Sequence, residues 1–179
     1  MHPAEPVEFS RPLAVDRIAG NPSQVEIEAD AAERAALAER FDLLSLDRFT
    51  ARFTVRRLRK DLIRVKGRIA AGLVQACVVS LEPVRSRIEE PFDLVYAPES
   101  AVEEVGFGAD TETEWPEPLP EGPLDIGEAV AQQLSLALDP YPRAPGAVIP
   151  EGRSEDSRSQ NPFARLALLR KIAPGSGEA

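Results

Sequence analysis

Cysteine and histidine are scarce in this chain of 179 residues, which has one cysteine, Cys77, and one histidine, His2. A single cysteine excludes an internal disulfide and every zinc site built on paired cysteines. One histidine beside the terminus cannot complete a Ser-His-Asp or Cys-His arrangement in a core. The sequence also lacks the GxxxxGK[ST] and GxGxxG phosphate-binding loops. We therefore predict that the protein is not an enzyme and has no metal, no cofactor and no small-molecule substrate.

Long apolar runs are also missing. No 18 apolar residues run together, and the first ten residues, MHPAEPVEFS, contain neither a basic segment nor an apolar one of the kind that leads a secreted chain. The sequence therefore predicts no membrane partner and a cytoplasmic location. The unpaired Cys77 agrees, since thiols persist in reducing compartments. The hydrophobic content of 43% is sufficient for one core with tails.

Charge is distributed very unevenly along the chain. Residues 88–142 contain no Lys or Arg but fourteen acidic residues, whereas residues 48–68 contain nine basic residues and one acidic residue. The basic stretch therefore sums to +8 and the remainder to −17, within a formal net charge of −9. The net charge argues against nucleic acid as a partner, but the local excess of basic residues favours it.

The basic stretch reads as two strands joined by a turn near Arg59. Apolar and polar residues alternate through residues 49–55 and again through 63–69, which places successive side chains on opposite faces of a sheet. A hairpin would gather the cations on one face, where we predict phosphate contacts from Arg52, Arg56, Arg64, Lys66 and Arg68, with Arg57 and Arg59 as further candidates. No aromatic residue shares that face, so stacking on bases is not expected. The alternative is a solvated strand face whose arginines pair with acidic residues of the same fold.

The remaining patterns predict an α+β fold. We expect strands at residues 7–18, 24–29, 73–79 and 87–96, and helices over 30–41 and 125–138 that begin with capping boxes at Asp30/Glu33 and Asp125/Glu128. The predicted architecture is a twisted, mainly antiparallel sheet or partial barrel with two covering helices and a short C-terminal helix. We expect residues 7–142 to form a single domain that includes an acidic Pro/Glu-rich loop at about 98–123. We expect a flexible linker (143–160), the short helix (161–172) and a disordered tail (173–179) to follow.

Three of these stretches together resemble the YceD family, the large ribosomal RNA subunit accumulation protein. They are ERAALAERFDLLSL at residues 33–46, QACVVSLEPV at 75–84 and LDIGEAVAQQLSLALDPYP at 124–142. The resemblance extends from Val7 to Asn161-Pro162-Phe163. It implies a non-enzymatic factor that supports large-subunit rRNA accumulation during ribosome assembly.

The sequence departs from the family at the cysteines. Many relatives have a second cysteine three residues after the first and another pair near the C-terminus, an arrangement that suggests metal binding. Here Ser80 occupies the second position and the C-terminal region has no cysteine. One thiolate cannot form a tetrahedral structural zinc site, so a metal role does not carry over.

Two functional interpretations follow. In the first, the basic sheet face binds large-subunit rRNA or a pre-ribosomal particle, with a ribosomal or assembly protein as a further partner. In the alternative, the protein is a protein–protein adaptor that uses the acidic loop and the terminal helix, and its arginines pair internally.

Overall fold

The structure is a computed structural model that describes residues 7–58, 62–98, 116–120 and 122–149. The chain divides into two compact units, Met1–Ala144 and Pro145–Ala179. All helices and strands of the described residues belong to the first unit. They are β1 (Pro12–Leu13), a short 3-10 helix (Val15–Arg17), β2 (Ser23–Glu28), α1 (Ala31–Arg40), β3 (Ser45–Arg57), β4 (Ile63–Ala76), β5 (Pro83–Ala97), β6 (Glu117–Pro118), β7 (Leu124–Asp125) and α2 (Ile126–Ala137).

The main sheet has five strands in the order β2-β3-β4-β5-β6, and β1 pairs separately with β7. Neighbouring strands are antiparallel from β2 to β5, whereas β5 and β6 are parallel. The fold is therefore α+β with a mixed sheet, as the α+β prediction required. Within the described residues the sheet does not close into a barrel, because β2 and β6 each have one neighbour.

The apolar core lies on the inner face of the sheet, the face that carries the odd-numbered residues of β4. Phe53, Gly67 and Phe92 are cross-strand neighbours on this face, and the two rings approach to 6.3 Å between centroids above the glycine. A side chain at position 67 would overlap the backbone and Cβ of β3, so only glycine fits there. Buried residues of both helices, including Leu37 of α1 and Val130 of α2, belong to the same apolar cluster.

The two helices begin differently, although both start with an Asp-x-x-Glu pattern. At α1 the predicted capping box is confirmed: the Glu33 amide donates to Asp30 Oδ1 at 2.9 Å, and the Asp30 amide donates to Glu33 Oε2 at 2.8 Å. At α2, Asp125 accepts from the Glu128 amide at 3.2 Å, but the Glu128 carboxylate pairs with Arg40 instead. The predicted box at α2 is therefore wrong in its second half.

The first segment is not the long strand predicted over residues 7–18. Of this segment only β1 pairs with another strand, and a 3-10 helix follows it. The backbone around Arg11 instead binds the start of α2: its amide donates to Asp125 Oδ1 at 2.7 Å, and its carbonyl accepts from the Ile126 amide at 3.1 Å. Pro12, which has no amide proton, further limits strand pairing.

The strand predicted over residues 63–69, with its continuation through 73–79, is one continuous strand, β4, but it ends at Ala76 and not at Val79. Cys77 follows the strand and opens a turn, in which Leu81 has a positive φ of 61°. The predicted acidic loop contains a short strand, β6. Residues 99–115 and 121 of that loop lie outside the described residues, as do the predicted linker from residue 150 onward, the predicted terminal helix at 161–172 and the predicted tail at 173–179.

Candidate nucleic-acid interface

The pairing of β3 with β4 places the predicted cations opposite each other on the outer face of the sheet. Arg52 is the cross-strand partner of Arg68, and Arg56 is that of Arg64. Between these two rows, Lys66 lies opposite Thr54. We call the surface formed by these five cations the basic face; its members are Arg52, Arg56, Arg64, Lys66 and Arg68. Like charges placed directly opposite each other destabilise a sheet, so this arrangement is not explained by strand stability.

Three of the five cations have acidic partners within the fold. Arg64 forms a two-pronged pair with Asp93 on β5, with distances of 2.6 Å from Nε to Oδ1 and 2.5 Å from Nη2 to Oδ2. Lys66 Nζ lies 3.0 Å from Asp93 Oδ2, and Arg52 Nε lies 2.9 Å from Glu26 Oε1 on β2. The hydrogen bonds from Arg64, and then those from Lys66, hold the pKa of Asp93 below its usual value although burial opposes them. Asp93 is thus negatively charged at neutral pH.

The other two cations, Arg56 and Arg68, are exposed and form no ion pair with any residue that the structure describes. They belong to different rows of the ladder and to different strands. Their guanidinium groups therefore retain all their donors for a ligand. A guanidinium binds phosphate oxygens through paired N–H donors, which makes these two residues suitable phosphate contacts.

The outer face keeps a positive excess after the internal pairs are counted. From the row of Arg48 to the row of Arg56, strands β2 to β5 present seven cations and four carboxylates on this face. The pair of Arg52 with Glu26 is 69% and 53% exposed, and exposed pairs of this kind contribute about 1 kcal/mol or less. A polyanion can therefore replace Glu26 at small cost.

Two predicted residues beyond the basic face have a different setting. Arg57 lies at the end of β3, where Nε donates to the Ile18 carbonyl at 3.2 Å and Nη2 to the Val15 carbonyl at 2.5 Å. These bonds anchor the 3-10 helix to the sheet. A phosphate contact from Arg57 stays a prediction, and Arg59 lies outside the described residues.

The sequence reading missed three residues of the outer face. Arg48 and Arg87 both flank Gly72 in one further row of the ladder, and both are exposed. Asp93 is one of the fourteen acidic residues between positions 88 and 142, so composition does not single it out. The alternation of apolar residues around it on β5 does place it on the polar face of the sheet. Its contact with Arg64 spans 29 positions of sequence, which local spacing cannot indicate.

Cys77 is buried, as its apolar neighbours predict. The Val79 and Ser80 amides donate to its Sγ, each at 3.4 Å. Hydrogen bonds from the Ala144 backbone, and then from Ser80, lower the pKa of this thiol to about 6. In the described part of the chain no cluster of three or more His, Cys, Asp or Glu residues is arranged to hold a metal ion. Nor do those residues include a helix long and apolar enough to span a membrane.

Comparison with known families gives a match, over residues 65–170, to the family described as "Large ribosomal RNA subunit accumulation protein YceD". No curated protein matches the chain, and no solved structure does. The match includes β4 from Val65 onward, β5 and α2 but not β3, so Lys66 and Arg68 are the only members of the basic face that it covers. More than half of the chain lies within the match, and the chain belongs to the YceD family.

Proposed function

We propose that this protein is a non-enzymatic cytoplasmic factor that supports large-subunit rRNA accumulation and ribosome assembly by binding rRNA, or a pre-ribosomal particle, through the basic face. The family description supports the ribosomal setting. The observation that carries the binding mode is the ladder itself, which sets Arg52 opposite Arg68 and Arg56 opposite Arg64 and leaves Arg56 and Arg68 without acidic partners among the described residues.

This face is suited to the sugar–phosphate backbone and not to the bases. Its cations stand on two rigid paired strands, so their spacing is fixed before a ligand arrives. Aromatic residues of β3 to β5, such as Phe53 and Phe92, point into the core and cannot stack on bases. We therefore expect binding that depends strongly on salt and weakly on nucleotide sequence.

The test removes the two unpaired cations in the double variant R56Q/R68Q. Each lost phosphate contact reduces the affinity for single-stranded RNA about fivefold at about 0.1 M salt, so we expect about 25-fold weaker binding to a fragment of large-subunit rRNA. The slope of log K against log salt should become shallower by about 1.4. Because neither arginine has an ion pair in the described structure, the melting temperature should change little.

The matched control is R17Q/R143Q, which removes two exposed arginines that lie outside the strands of the sheet. It makes the same change in net charge, so we expect at most a few-fold loss of affinity. Equal losses in the two double variants, or undiminished binding by R56Q/R68Q, would count against the basic face.

A second candidate is the protein–protein adaptor, which the internal pairs of Arg52, Arg64 and Lys66 favour. In that function the acidic loop and the terminal helix bind the partner. Most of the loop and all of the helix lie outside the described residues. The two functions give different results in a pull-down from nuclease-treated lysate. An adaptor keeps its protein partner after the RNA is digested, and a factor held by rRNA does not.

A further inference from the structure

One cavity opens on the outer face, at the end of the sheet where β3 leads into β4. It has a volume of about 350 Å³ and is lined by Pro22, Thr54, Arg56, Arg64 and Lys66. At about 30 Å³ per water molecule it has room for a phosphate group with part of its hydration shell. Three of its five lining residues are cations, contributed by both strands of the hairpin.

The cavity keeps many donors available. Arg56 has five N–H groups and no ion pair among the described residues. Arg64 uses two of its five N–H groups on Asp93, and Lys66 uses one of three on the same carboxylate. The remaining N–H groups belong to side chains that surround one space, as phosphate recognition requires.

Asp93 has two effects on this cavity. Its carboxylate holds Arg64 and Lys66 in ion pairs, and it cancels one of the three positive charges. Two positive charges remain. They exceed the single negative charge of an internal phosphodiester and nearly balance the charge of −1.5 to −2 on a terminal phosphate at neutral pH. Neither Arg52 nor Arg68 lines this cavity.

We propose that this cavity is a specific site for one phosphate group of the bound RNA, in which Arg56, Arg64 and Lys66 contact the phosphate and the ion pairs of Asp93 with Arg64 and Lys66 limit the affinity. The inference rests on the proposed function for the source of the phosphate. The site itself is defined by its own geometry, so it can be tested without RNA.

The first experiment titrates inorganic phosphate into the full chain and follows backbone amide signals by NMR, with sodium chloride of matched ionic strength as the reference. We expect saturable shifts at Thr54, Arg56 and Lys66. In R56Q the affinity should fall about tenfold or more, because a charged hydrogen-bonding group is lost. In R143Q, which removes an exposed arginine outside the strands of the sheet, the affinity should be unchanged. A response that chloride reproduces, or equal losses in R56Q and R143Q, would overturn the site.

The second experiment compares a 5′-phosphorylated RNA oligonucleotide with its 5′-hydroxyl form. If the site takes the strand terminus, the phosphorylated form binds more tightly and the difference disappears in R56Q. If it takes an internal phosphodiester, the two forms bind equally and R56Q weakens both more than R68Q does. Equal effects of R56Q and R68Q on both forms contradict the site.

The two proposals fail in different ways. Saturable phosphate binding in a protein whose RNA affinity is unaffected by R56Q/R68Q would leave the cavity standing as an anion site and refute the proposed function. Loss of RNA affinity in R56Q/R68Q without any saturable phosphate response would refute the cavity and leave the proposed function intact.

Discussion

Asp93 is the residue that most limits the basic face, and the variant D93N measures that limit. The carboxylate accepts from both prongs of Arg64 and lies 3.0 Å from Lys66 Nζ. Asparagine keeps one oxygen acceptor and the side-chain shape but removes the charge. The substitution therefore makes Arg64 and Lys66 more available to a polyanion while leaving both cations in place.

The expected gain follows from counterion release. One additional phosphate contact adds about 0.7 to the magnitude of the slope of log K against log salt for single-stranded RNA. At about 0.1 M salt this is about a fivefold gain in affinity, equivalent to about 1 kcal/mol. Fluorescence anisotropy with a labelled rRNA fragment over a series of salt concentrations gives both quantities.

The matched control is E89Q. Glu89 lies on the same strand as Asp93 and on the same face, opposite Ala70, and it is exposed without an ion pair among the described residues. It makes the same change in net charge without releasing a cation, so its affinity should rise less than twofold. If D93N binds RNA no more tightly than the unmodified protein, or if E89Q gains as much, the cations beside Asp93 do not contact RNA.

Two further predictions concern stability, measured by urea denaturation. In G67A the added methyl group overlaps the backbone of β3, so the free energy of unfolding should fall by about 1–3 kcal/mol. In the control G72A the methyl group meets no atom within 4 Å, so the free energy of unfolding should change by about 0.5 kcal/mol or less. Equal stabilities would contradict the packing described. The hydrogen bond from Arg40 lowers the pKa of Glu128, so this carboxylate stabilises the fold above its unfolded-state pKa and the contribution is lost as pH falls through the lower folded-state pKa. E128Q should therefore lower the free energy of unfolding by about 1 kcal/mol at pH 7 and make it depend less on pH in the acid range. The control E39Q, which removes an exposed carboxylate of α1 that has no ion pair among the described residues, should do neither. If E128Q and E39Q give the same dependence of unfolding free energy on pH, the pair of Arg40 with Glu128 does not have this role.

Local alternation was sufficient to predict the hairpin. Successive residues of a strand point to opposite faces, so the spacing of Arg52 and Arg56, and of Arg64 and Arg68, placed each pair on one side before the register was known. The short connection between the strands then brought both sides together. The capping box at Asp30 was equally local, because both of its hydrogen bonds close within four residues.

What the sequence did not predict depends on contacts between distant residues. Glu128 has the spacing of a capping box, but its carboxylate pairs with Arg40, which lies 88 positions away. The first segment alternates like a strand, yet Arg11 donates its amide to the side-chain carboxylate of Asp125 instead of to a backbone carbonyl. Asp93 reaches the basic face only because β5 pairs with β4 in one particular register. A periodic pattern gives the face on which a side chain lies, but not the partner that it meets there.

The measurement that tests the proposed function most directly is crosslinking in cells followed by sequencing of the attached RNA, carried out on the unmodified protein and on R56Q/R68Q. We predict crosslinks to large-subunit rRNA in the unmodified protein, and a loss of most of them in the double variant at equal protein abundance. Crosslinks to rRNA that persist undiminished in R56Q/R68Q, or their absence from the unmodified protein, would contradict binding through the basic face.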